Sequence, residues 1–387
     1  MKMILISDIN IKGKKILIRS DMNVPMKDGK IISYTRIIKS LKTIKYAIKK
    51  KAIVIIASHL GRPKEGKYDK NLSMKPIVKF LKKNISLPIR LVKNYINGLD
   101  ILPNYLTVLE NVRFNKGEKN NNQELAQKYS NLCDIFVMDA FASAHRSESS
   151  TVGVGNLSKI SCCGFLFKNE IKNLSKIINN PLRPMISIIG GSKISTKLNI
   201  LESLSKISDK IIVGGGIANT FLASKGFNIG KSIYEHDLIY SAKNILIRNK
   251  NILLPVDVKV SNQFSELSTS LTKSINDITN DEQILDIGNL SINNILNNLK
   301  QSKTILWNGP LGVFEFCNFR QGTQSIANFI SKNNVFSVAG GGDTIAAIEL
   351  FGIYDKVSYI STGGGSFLRF IEGKKLPVIS MLEKYSK

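Results

Sequence analysis

The sequence is poor in the side chains that build disulfides and structural metal sites. Its 387 residues include only four cysteines and three histidines. The cysteines stand at positions 133, 162, 163 and 317 and form no C-x-x-C pair, so the sequence predicts no structural zinc site. Proline is scarce as well, with 10 residues against 28 glycines, and 43% of the chain is hydrophobic. This composition is typical of a globular protein and unlike that of disordered or collagen-like chains.

Long hydrophobic runs are missing too. No apolar stretch approaches the roughly 18 residues that a membrane-spanning helix needs. At the N-terminus, Ser7 and Asp8 interrupt the apolar residues before the core of a signal peptide is complete. At roughly 150 residues per domain, the length favours two or three domains. The sequence therefore predicts a soluble, cytoplasmic protein of more than one domain.

Acidic residues are outnumbered by basic ones, 29 against 55, which gives a formal net charge of +26. Such a charge suggests nucleic-acid binding. However, the lysines are spread along the whole chain and accompany abundant isoleucine and asparagine, a mixture expected from AT-biased codons. Solvated lysines on helix faces explain the same surplus, so total charge is a weak indicator of function.

Arginine is rare, and this makes its positions informative. Only ten of the 55 basic residues are arginines, and six of the ten lie in the first 150 residues. Lysine supplies plain positive charge, whereas arginine adds a planar fork of five donors. Five of these six stand beside turn-like or strand-end segments: Arg19, Arg36, Arg62, Arg113 and Arg146.

Apolar runs alternate with amphipathic stretches along almost the whole chain. The pattern predicts strands at 16–18, 53–57, 107–109, 135–138, 185–189, 211–213, 252–255, 284–287, 304–307, 336–339 and 357–360. It predicts helices at 36–50, 195–206, 236–249 and 343–351. Strands that alternate with helices indicate right-handed crossovers and parallel sheets covered on both faces. Because about eleven strands exceed one ordinary domain, we expect two doubly wound (Rossmann-like) α/β domains joined by a helix near 169–180.

The two halves of the chain end their predicted strands differently. The first half has polar strand ends, R-S-D-M-N at 19–23, S-H-L-G-R at 58–62, E-N-V-R at 110–113, and Asp139 leading to His145-Arg146. The second half has glycine runs at 190–191, 214–216, 340–342 and 363–365. Ligands of such folds bind beyond the carboxyl ends of the strands. Guanidinium forks suit a small anion, and bare backbone N–H groups at helix N-termini suit nucleotide phosphates. The first half is therefore predicted to bind an acidic metabolite and the second a nucleotide.

Both standard nucleotide fingerprints are absent. No G-x-G-x-x-G occurs, and the segment from Gly226 to Ser232 has three residues between its glycines where a Walker A loop has four. We interpret that segment as a turn. A dinucleotide-dependent oxidoreductase, which also needs two α/β lobes, therefore lacks both its fingerprint and an evident catalytic base.

Other residues are candidates for phosphate and metal binding. Lys193 and Lys197 lie four apart after Gly190-Gly191, and we expect them one turn apart on an opening helix. Asp343 follows the third glycine run, where it suits either Mg²⁺ or the dipole of a helix. Glu315 ends the W-N-G-P-L-G-V-F-E segment and is either a ribose ligand or a solvated carboxylate. His59 and His145 each stand close to an arginine, so substrate contact is open for both.

Nine motifs in order make the chain similar to the phosphoglycerate kinase family over essentially its full length. They are RSDMNVP, SHLGRP, LENVRF and DAFASAHR in the first half, and GGSKISTKL, DKIIVGGGIANTFL, TILWNGPLGVFE, AGGGDTIAA and ISTGGGSF in the second. The resemblance is to the compact bacterial type. It implies a monomeric, bilobal enzyme whose C-terminal segment returns to the first lobe. The implied ranges are an N-terminal phosphoglycerate-binding domain at 1–168, a hinge helix at 169–184, a nucleotide-binding domain at 185–370 and a returning segment at 371–387.

The resemblance also implies site residues. Those for the phosphoglycerate are Asp21, Met22, Asn23, Arg36, His59, Leu60, Gly61, Arg62, Arg113 and Arg146. Those for ATP are Lys197, Asn308, Pro310, Gly312, Val313, Glu315, Gly341, Gly342, Asp343 and Thr344. Arg36 and Lys193 would be catalytic, and Asp343 would hold Mg²⁺ with the nucleotide phosphates. The sequence departs from the family pattern at Ala142, Ser143 and Arg369, none of which is among these residues.

The implied reaction is reversible phosphoryl transfer from 1,3-bisphosphoglycerate to ADP, giving 3-phosphoglycerate and ATP. The attacking group is an anion in both directions, so no general base is required. Positioning and charge neutralisation are then the task of the protein, with closure about a hinge to exclude water. No specific nucleic-acid or membrane partner is expected. A basic nucleic-acid-binding protein and a dinucleotide-dependent oxidoreductase are the alternatives.

Overall fold

The computed structural model describes residues 2–100 and 102–386, so Met1, Ile101 and Lys387 of the predicted domain ranges lie outside the described residues. The chain forms two compact units. The first contains the residues up to Lys172 together with those from Lys375 onward, and the second spans Asn173–Lys374.

A six-stranded parallel sheet is the centre of the first unit. The strands of this unit are β1 (Lys15–Ser20), β2 (Met26–Lys27), β3 (Lys30–Ile31), β4 (Ile53–Ala57), β5 (Ile89–Val92), β6 (Leu106–Leu109), β7 (Ile135–Asp139) and β8 (Ile160–Cys163). The order in the sheet is β5-β6-β4-β1-β7-β8, while β2 and β3 form a separate antiparallel pair. Every pair in the large sheet is parallel. The central strands β1, β4 and β7 are almost continuous runs of buried residues, as expected for a sheet covered on both faces.

Helices connect these strands. They are α1 (Thr35–Lys49), α2 (Lys75–Asn84), α3 (Gln123–Ser130), α4 (Val154–Leu157) and α5 (Phe165–Ile178). The boundary between the units falls within α5. Strand residues such as Ile18, Ile56 and Val137 pack with helix residues such as Ile37 and Ile77 in one buried hydrophobic cluster.

The second unit is built around another six-stranded parallel sheet. Its strands are β9 (Met185–Ile189), β10 (Lys210–Val213), β11 (Ile252–Leu253), β12 (Asp257–Ser261), β13 (Leu271–Ser274), β14 (Gln283–Ile287), β15 (Thr304–Asn308), β16 (Phe336–Gly340) and β17 (Tyr359–Ser361). The parallel order is β11-β10-β9-β15-β16-β17. Trp307 of β15 is fully buried in the core of this unit and donates its indole N–H to the carbonyl of Gly309 at 3.0 Å.

The prediction that residues 284–287 continue the parallel series is wrong. They belong to β14, which pairs antiparallel with β12 in a three-stranded sheet of order β13-β12-β14. Strand and helix alternation cannot distinguish the two cases, because a buried apolar run reads the same in either sheet.

The helices of the second unit are α6 (Leu198–Ser205), α7 (Gly215–Ser224), α8 (Ile239–Arg248), α9 (Asn289–Leu299), α10 (Gln321–Lys332), α11 (Gly342–Leu350) and α12 (Gly365–Ile371). The chain then re-enters the first unit as α13 (Pro377–Glu383). There Val378, Met381 and Leu382 are buried, and the Tyr385 hydroxyl donates to the carbonyls of Gly155 and Ser158 at 2.7 and 2.8 Å.

In each unit the strand order indicates where a ligand would bind, at the carboxyl ends of the parallel strands, and we call this place the ligand edge. In the first sheet the chain leaves β1 toward β4 on one side and later returns to β7 on the other. In the second it leaves β9 toward β10 and returns to β15. Crevices at the carboxyl ends of strands where the winding reverses are the usual binding sites of doubly wound sheets. The polar strand ends and the glycine runs lie at these two edges.

Candidate active site

Asp21 and Arg36 form an ion pair at the ligand edge of the first unit. Asp21 directly follows β1 and is buried, while Arg36 lies in the first turn of α1. Nη1 of Arg36 donates to both carboxylate oxygens of Asp21, at 3.1 and 2.9 Å. The ion pair fixes the guanidinium at the carboxyl ends of the strands, although 27% of the arginine side chain remains exposed.

The segment after β1 is tied to the segment after β4. The N–H of Met22 donates to Oγ of Ser58 at 3.0 Å, and the N–H of Gly61 donates to Oδ1 of Asn23 at 2.8 Å. Gly61 has a φ of +63°, and a Cβ there would lie 2.6 Å from Cδ2 of Leu72. Glycine is therefore favoured at this turn. The two segments form one continuous edge.

A single buried carboxylate holds two further arginines. Nη2 of Arg113 donates to Oε1 of Glu148 at 3.0 Å, and Nη1 of Arg146 lies 3.6 Å from the same oxygen. Nη1 of Arg113 also donates to the carbonyl of Gly61 at 2.9 Å. Arg113 and Glu148 are almost fully buried, and Arg146 has 35% of its side chain exposed. One negative charge thus offsets two positive ones.

His59 lies within what we call the arginine cluster, consisting of Arg19, Arg36, Arg113 and Arg146. Nη2 of Arg19 bonds to Nδ1 of His59 at 3.0 Å. Burial, followed by the four guanidinium charges, holds the pKa of His59 well below its usual value. The imidazole is therefore neutral at physiological pH, and the surplus of arginine over carboxylate makes this edge a site for an anion.

Asn308 is the centre of the ligand edge in the second unit. It ends β15 and is buried. Its Oδ1 accepts a hydrogen bond from Nζ of Lys197, and its Nδ2 donates to the carbonyl of Gly340 at 2.6 Å. The backbone carbonyl of Asn308 accepts the N–H of Gly190 at 3.1 Å. One asparagine thus joins the ends of β9, β15 and β16 to a lysine. We call the loops that follow these three strands the glycine edge.

Glycine is required where the loops of this edge approach one another. A Cβ on Gly190 would lie 1.7 Å from the carbonyl oxygen of Pro310, and one on Gly309 would lie 2.2 Å from that of Gly190. Gly341, the residue before α11, has a φ of +103°. Thr344, in the first turn of α11, donates to the carbonyl of Gly340 at 3.0 Å and accepts the N–H of Gly309 at 2.8 Å. At the buried glycines Gly190 and Gly309 the loops therefore pack backbone against backbone, with no room for a side chain.

The prediction that Lys193 and Lys197 lie on an opening helix is wrong. Helix α6 begins at Leu198, and both lysines precede it in an irregular segment. Ser195, between them, donates its N–H and hydroxyl to the Glu235 carboxylate at 2.7 and 2.6 Å, which anchors the segment. Lys193 is exposed, whereas burial lowers the pKa of Lys197 to about 8, opposed by the charge of Asp343.

The chain matches the family model for phosphoglycerate kinase over residues 6–374. Two solved phosphoglycerate kinases have the same fold. That of Coxiella burnetii is 44% identical, with 100% of both chains covered and a TM-score of 0.94. That of Pyrococcus horikoshii OT3 is 31% identical, with 98% of both chains covered and a TM-score of 0.83. The chain belongs to the phosphoglycerate kinase family.

Its function is that of a glycolytic phosphoglycerate kinase. The enzyme is a phosphotransferase that moves a phosphoryl group reversibly from 1,3-bisphosphoglycerate to ADP, giving 3-phosphoglycerate and ATP. The comparisons do not favour either alternative, nucleic-acid binding or oxidoreduction. None of the helices described in the structure is both long and apolar enough to cross a bilayer.

For the phosphoglycerate, the structure brings most of the predicted residues to one edge. Arg62 is exposed there, next to Gly61. Met22 and Leu60, also predicted, point into the core instead and are 0% and 1% exposed. Their backbone groups are engaged by Oγ of Ser58 and Nδ2 of Asn111, at 3.0 and 2.7 Å. These two residues hold the edge in place rather than offer side chains to a ligand.

For the nucleotide, the predicted residues of the segment after β15 range from buried to exposed. Pro310 is buried, Gly312 and Val313 are half-buried, and Glu315 is exposed. The N–H of Val313 donates to the carbonyl of Leu285 at 2.7 Å. The segment that contains Val313 is therefore supported by β14, in the small antiparallel sheet.

The residues around Asp343 fit a magnesium ion that is shared with substrate. No group of three or more potential ligands among histidine, cysteine, aspartate and glutamate occurs in the residues that the structure describes. Asp343 is an exposed carboxylate in the first turn of α11, close enough to Lys197 to act on its charge. Mg²⁺ usually takes one or two carboxylates and completes its octahedron with phosphate oxygens and water. One exposed carboxylate beside the glycine edge matches that donor set.

Sequence reasoning missed several residues that build the site. Arg19 was noted only as a strand-end arginine, and Glu148 was not singled out. Asp286 was missed as well: its carboxylate accepts the N–H of Gly322 at 2.9 Å, and a Cβ on Gly312 would lie 2.4 Å from it. Burial raises the pKa of Asp286 to about 7. The acidic residue inside R-S-E-S-S was the available signal for Glu148, but its partner Arg113 lies 35 residues away in sequence.

Proposed function

We propose that the arginine cluster binds the phosphoglycerate and that the glycine edge binds ADP or ATP. Direct contacts to the acid are assigned to Asp21, Asn23, Arg36, His59, Gly61, Arg62, Arg113 and Arg146. Contacts to the nucleotide are assigned to Lys197, Asn308, Pro310, Gly312, Val313, Glu315, Gly341, Gly342, Asp343 and Thr344. The observation that carries the proposal is the convergence of four guanidinium groups, two buried and two partly exposed, on one edge that holds fewer carboxylates.

The chemistry needs no proton acceptor from the protein. In the direction of ATP synthesis, an oxygen of the ADP β-phosphate attacks the phosphorus of the acyl phosphate. The bond from phosphorus to the carboxyl oxygen breaks, and 3-phosphoglycerate leaves as a carboxylate. Because nucleophile and leaving group are both anions, positioning and charge neutralisation supply the catalysis.

Arg36 and Lys193 are assigned to the transferring phosphoryl group. Arg36 is held by Asp21 yet stays partly exposed, and Lys193 is an exposed ammonium in an anchored segment. Both side chains are partly or fully exposed, so an incoming phosphate can contact them. Mg²⁺, held by Asp343 and the nucleotide, would offset phosphate charge.

Direct transfer requires the two ligands to meet, so we propose that the enzyme closes when both are bound, as a cytoplasmic monomer. Closure also keeps water from the acyl phosphate. X-ray scattering is expected to show a smaller radius of gyration with both ligands than with either one. An unchanged radius with both ligands would contradict closure, and a dimeric mass in the same samples would contradict the monomer.

The Arg36→Ala variant tests the catalytic assignment. We expect kcat for 1,3-bisphosphoglycerate formation, measured in a coupled assay, to fall by about 100-fold or more because charge on the transferring group is no longer offset. Affinity for ADP is expected to stay within about twofold. Arg90→Ala is the matched control, since Arg90 lies in β5 of the same unit and bonds to Thr107 at 3.1 Å. Unaltered turnover in Arg36→Ala would refute the role.

A further inference from the structure

Arg19 has an unusual environment for a buried guanidinium. It is 0% exposed, and among the described residues the arginines that form ion pairs with carboxylates are others, not Arg19. Instead it donates to Oγ of Ser150 at 2.9 Å, to the carbonyl of Ser20 at 2.9 Å and to Nδ1 of His59 at 3.0 Å. A buried charge is costly unless hydrogen bonds satisfy it, and here neutral groups accept all three bonds.

The nearest compensation for this charge comes through Ser150. Oγ of Ser150 donates to Oε1 of Glu118 at 2.5 Å, and its N–H lies 3.2 Å from Oε2 of the same carboxylate. Glu118 and Ser150 are fully buried or nearly so. A serine hydroxyl has one donor, and since that donor is given to Glu118, its lone pairs are free to accept from Arg19. The chain Glu118–Ser150–Arg19–His59 therefore has a fixed direction.

The bond from Arg19 determines the tautomer of His59. A guanidinium has only donors, so Nδ1 of His59 must be the acceptor. The ring proton of the neutral imidazole is then on Nε2. Without the bond from Arg19, neither the tautomer nor the orientation of the ring would be fixed at Nδ1.

We infer that Glu118 and Ser150 are positioning residues for the phosphoglycerate, because they hold Arg19 and, through it, keep His59 as an Nε2–H donor. This inference deepens the proposed function and rests on it. Placing serine between Glu118 and Arg19 also leaves Arg19 without a direct counter-ion. Burial raises the pKa of Glu118 to about 7, so near neutral pH its own negative charge is only partly present. The positive charge of Arg19 therefore adds to the attraction that the arginine cluster exerts on an anion, which a direct ion pair would largely cancel.

Two neighbouring serines provide a matched test. Ser149 and Ser150 lie in the same turn, and both are buried. The Ser149 hydroxyl lies 3.0 and 3.1 Å from the carbonyl oxygens of Gly117 and Asn122, which share its one proton, and it is not part of the chain to Arg19. Ser150→Ala removes the link to Arg19, whereas Ser149→Ala removes a hydroxyl of equal size and burial one residue away.

The first readout is calorimetric binding to the full-length protein. We expect Ser150→Ala to weaken 3-phosphoglycerate about tenfold, as for the loss of a hydrogen bond to a charged group. Affinity for MgATP should change less than about twofold, and Ser149→Ala should alter neither ligand by more than that. The inference would be overturned if both serine variants lost the same affinity for 3-phosphoglycerate. It would also be overturned if Ser150→Ala lost the same affinity for both ligands, since Ser150 would then have only a structural role.

The second readout is nitrogen NMR of histidine-labelled protein. In the wild-type protein, Nδ1 of His59 is expected to resonate as an unprotonated acceptor, and in Ser150→Ala its signal should move toward a mixture of tautomers. A His59→Gln spectrum assigns the signal among the three histidines. An Nδ1 signal that is unchanged in Ser150→Ala would overturn the inference, as would a protonated Nδ1 in the wild-type protein.

Glu118→Gln keeps the argument testable if Ser150→Ala fails to fold. The amide retains an oxygen that can accept from Ser150 but removes the charge, so we expect a smaller loss of 3-phosphoglycerate affinity, about threefold, with MgATP unaffected. No loss in this variant would contradict the role of Glu118. A wild-type protein that binds MgATP but not 3-phosphoglycerate would instead reject the proposed site, and the inference with it.

Discussion

Burial gives Lys197 a pKa of about 8, near the pH at which most assays are run. Phosphate binding favours the charged ammonium and so raises that pKa. Nucleotide binding should therefore take up protons near pH 8, and affinity should fall as the pH rises through 8 and above. Calorimetry of ADP binding in buffers of different ionisation enthalpy measures this uptake.

The matched control for this prediction is Lys197→Arg, because a guanidinium does not titrate in this range. The nucleotide affinity of this variant should no longer depend on pH near 8. The pH dependence of 3-phosphoglycerate affinity should be the same in the variant and in the wild-type protein. Binding without proton uptake near pH 8 would contradict the prediction.

The role of the Asp343 carboxylate can be tested by replacing one of its oxygens with an amide nitrogen. Asp343→Asn is expected to weaken Mg-nucleotide binding by about tenfold, or about 1.4 kcal/mol, because an amide oxygen is a poorer ligand for Mg²⁺ than a carboxylate. Nucleotide binding without magnesium should be retained. Asp355→Asn, an exposed aspartate of the same unit, serves as the control. Equal Mg-nucleotide affinity in Asp343→Asn by calorimetry would remove Asp343 from the metal site.

At the scale of the element, the loops of the glycine edge leave no room for side chains. Gly190→Ala would place a Cβ 1.7 Å from a backbone oxygen of another loop. We expect a loss of about 3 kcal/mol or more in the free energy of unfolding, because backbone atoms cannot move aside as a side-chain end does. Denaturant unfolding measures the change.

Gly342→Ala is the control for stability. Its Cβ would meet nothing within 4 Å, and the residue begins α11. The free energy of unfolding should change by less than about 1 kcal/mol, in favour of alanine if at all. A Gly190→Ala variant as stable as Gly342→Ala would show that the loops separate easily.

The sequence was most informative where burial is continuous. The predicted strands at 53–57 and 185–189 are confirmed residue for residue as β4 and β9. β8 was missed, although three of its four residues are buried, because Ser161 interrupts its short apolar run. The start of α6 was wrong, since the lysines that resemble an opening turn are held in an irregular segment by Glu235, 40 residues away from Ser195.

The candidate site shows the same limit. Motifs located the residues at the strand ends, because parallel strands bring their carboxyl ends together wherever the chain runs between them. The supports of those residues were not predictable. Arg19 and Ser150 are 131 residues apart, and nothing in either local pattern pairs them. Such contacts depend on tertiary packing alone.

At the scale of the whole molecule, buried carboxyl groups in both units make stability depend on pH. Burial raises the pKa of Asp139 from its usual value of 3.8 to about 7, and that of Asp286 by the same amount. Between about pH 4 and 7 the folded protein therefore binds more protons than the unfolded chain. Stability from these groups is lost as the pH rises through that window.

Asp139→Asn isolates one of these contributions. The free energy of unfolding of the variant, minus that of the wild-type protein, should increase from about pH 4 to about pH 7 and level off above, because the amide has no charge to desolvate. Denaturant unfolding at a series of pH values measures it. Asp237→Asn, at a fully exposed position, should run parallel to the wild-type protein. A constant difference for Asp139→Asn across the window would contradict the prediction.

The residues from Lys375 onward belong to the first unit, and this constrains the order in which the two units can fold during synthesis. A nascent chain that emerges from the ribosome presents residues 1–172 while α13 has not been synthesised. The surface that will receive Val378, Met381 and Leu382 stays open to water during translation of the intervening segment. The second unit is continuous in sequence, so it is the first that can complete its core. The unit whose synthesis begins first is therefore the last to complete its core.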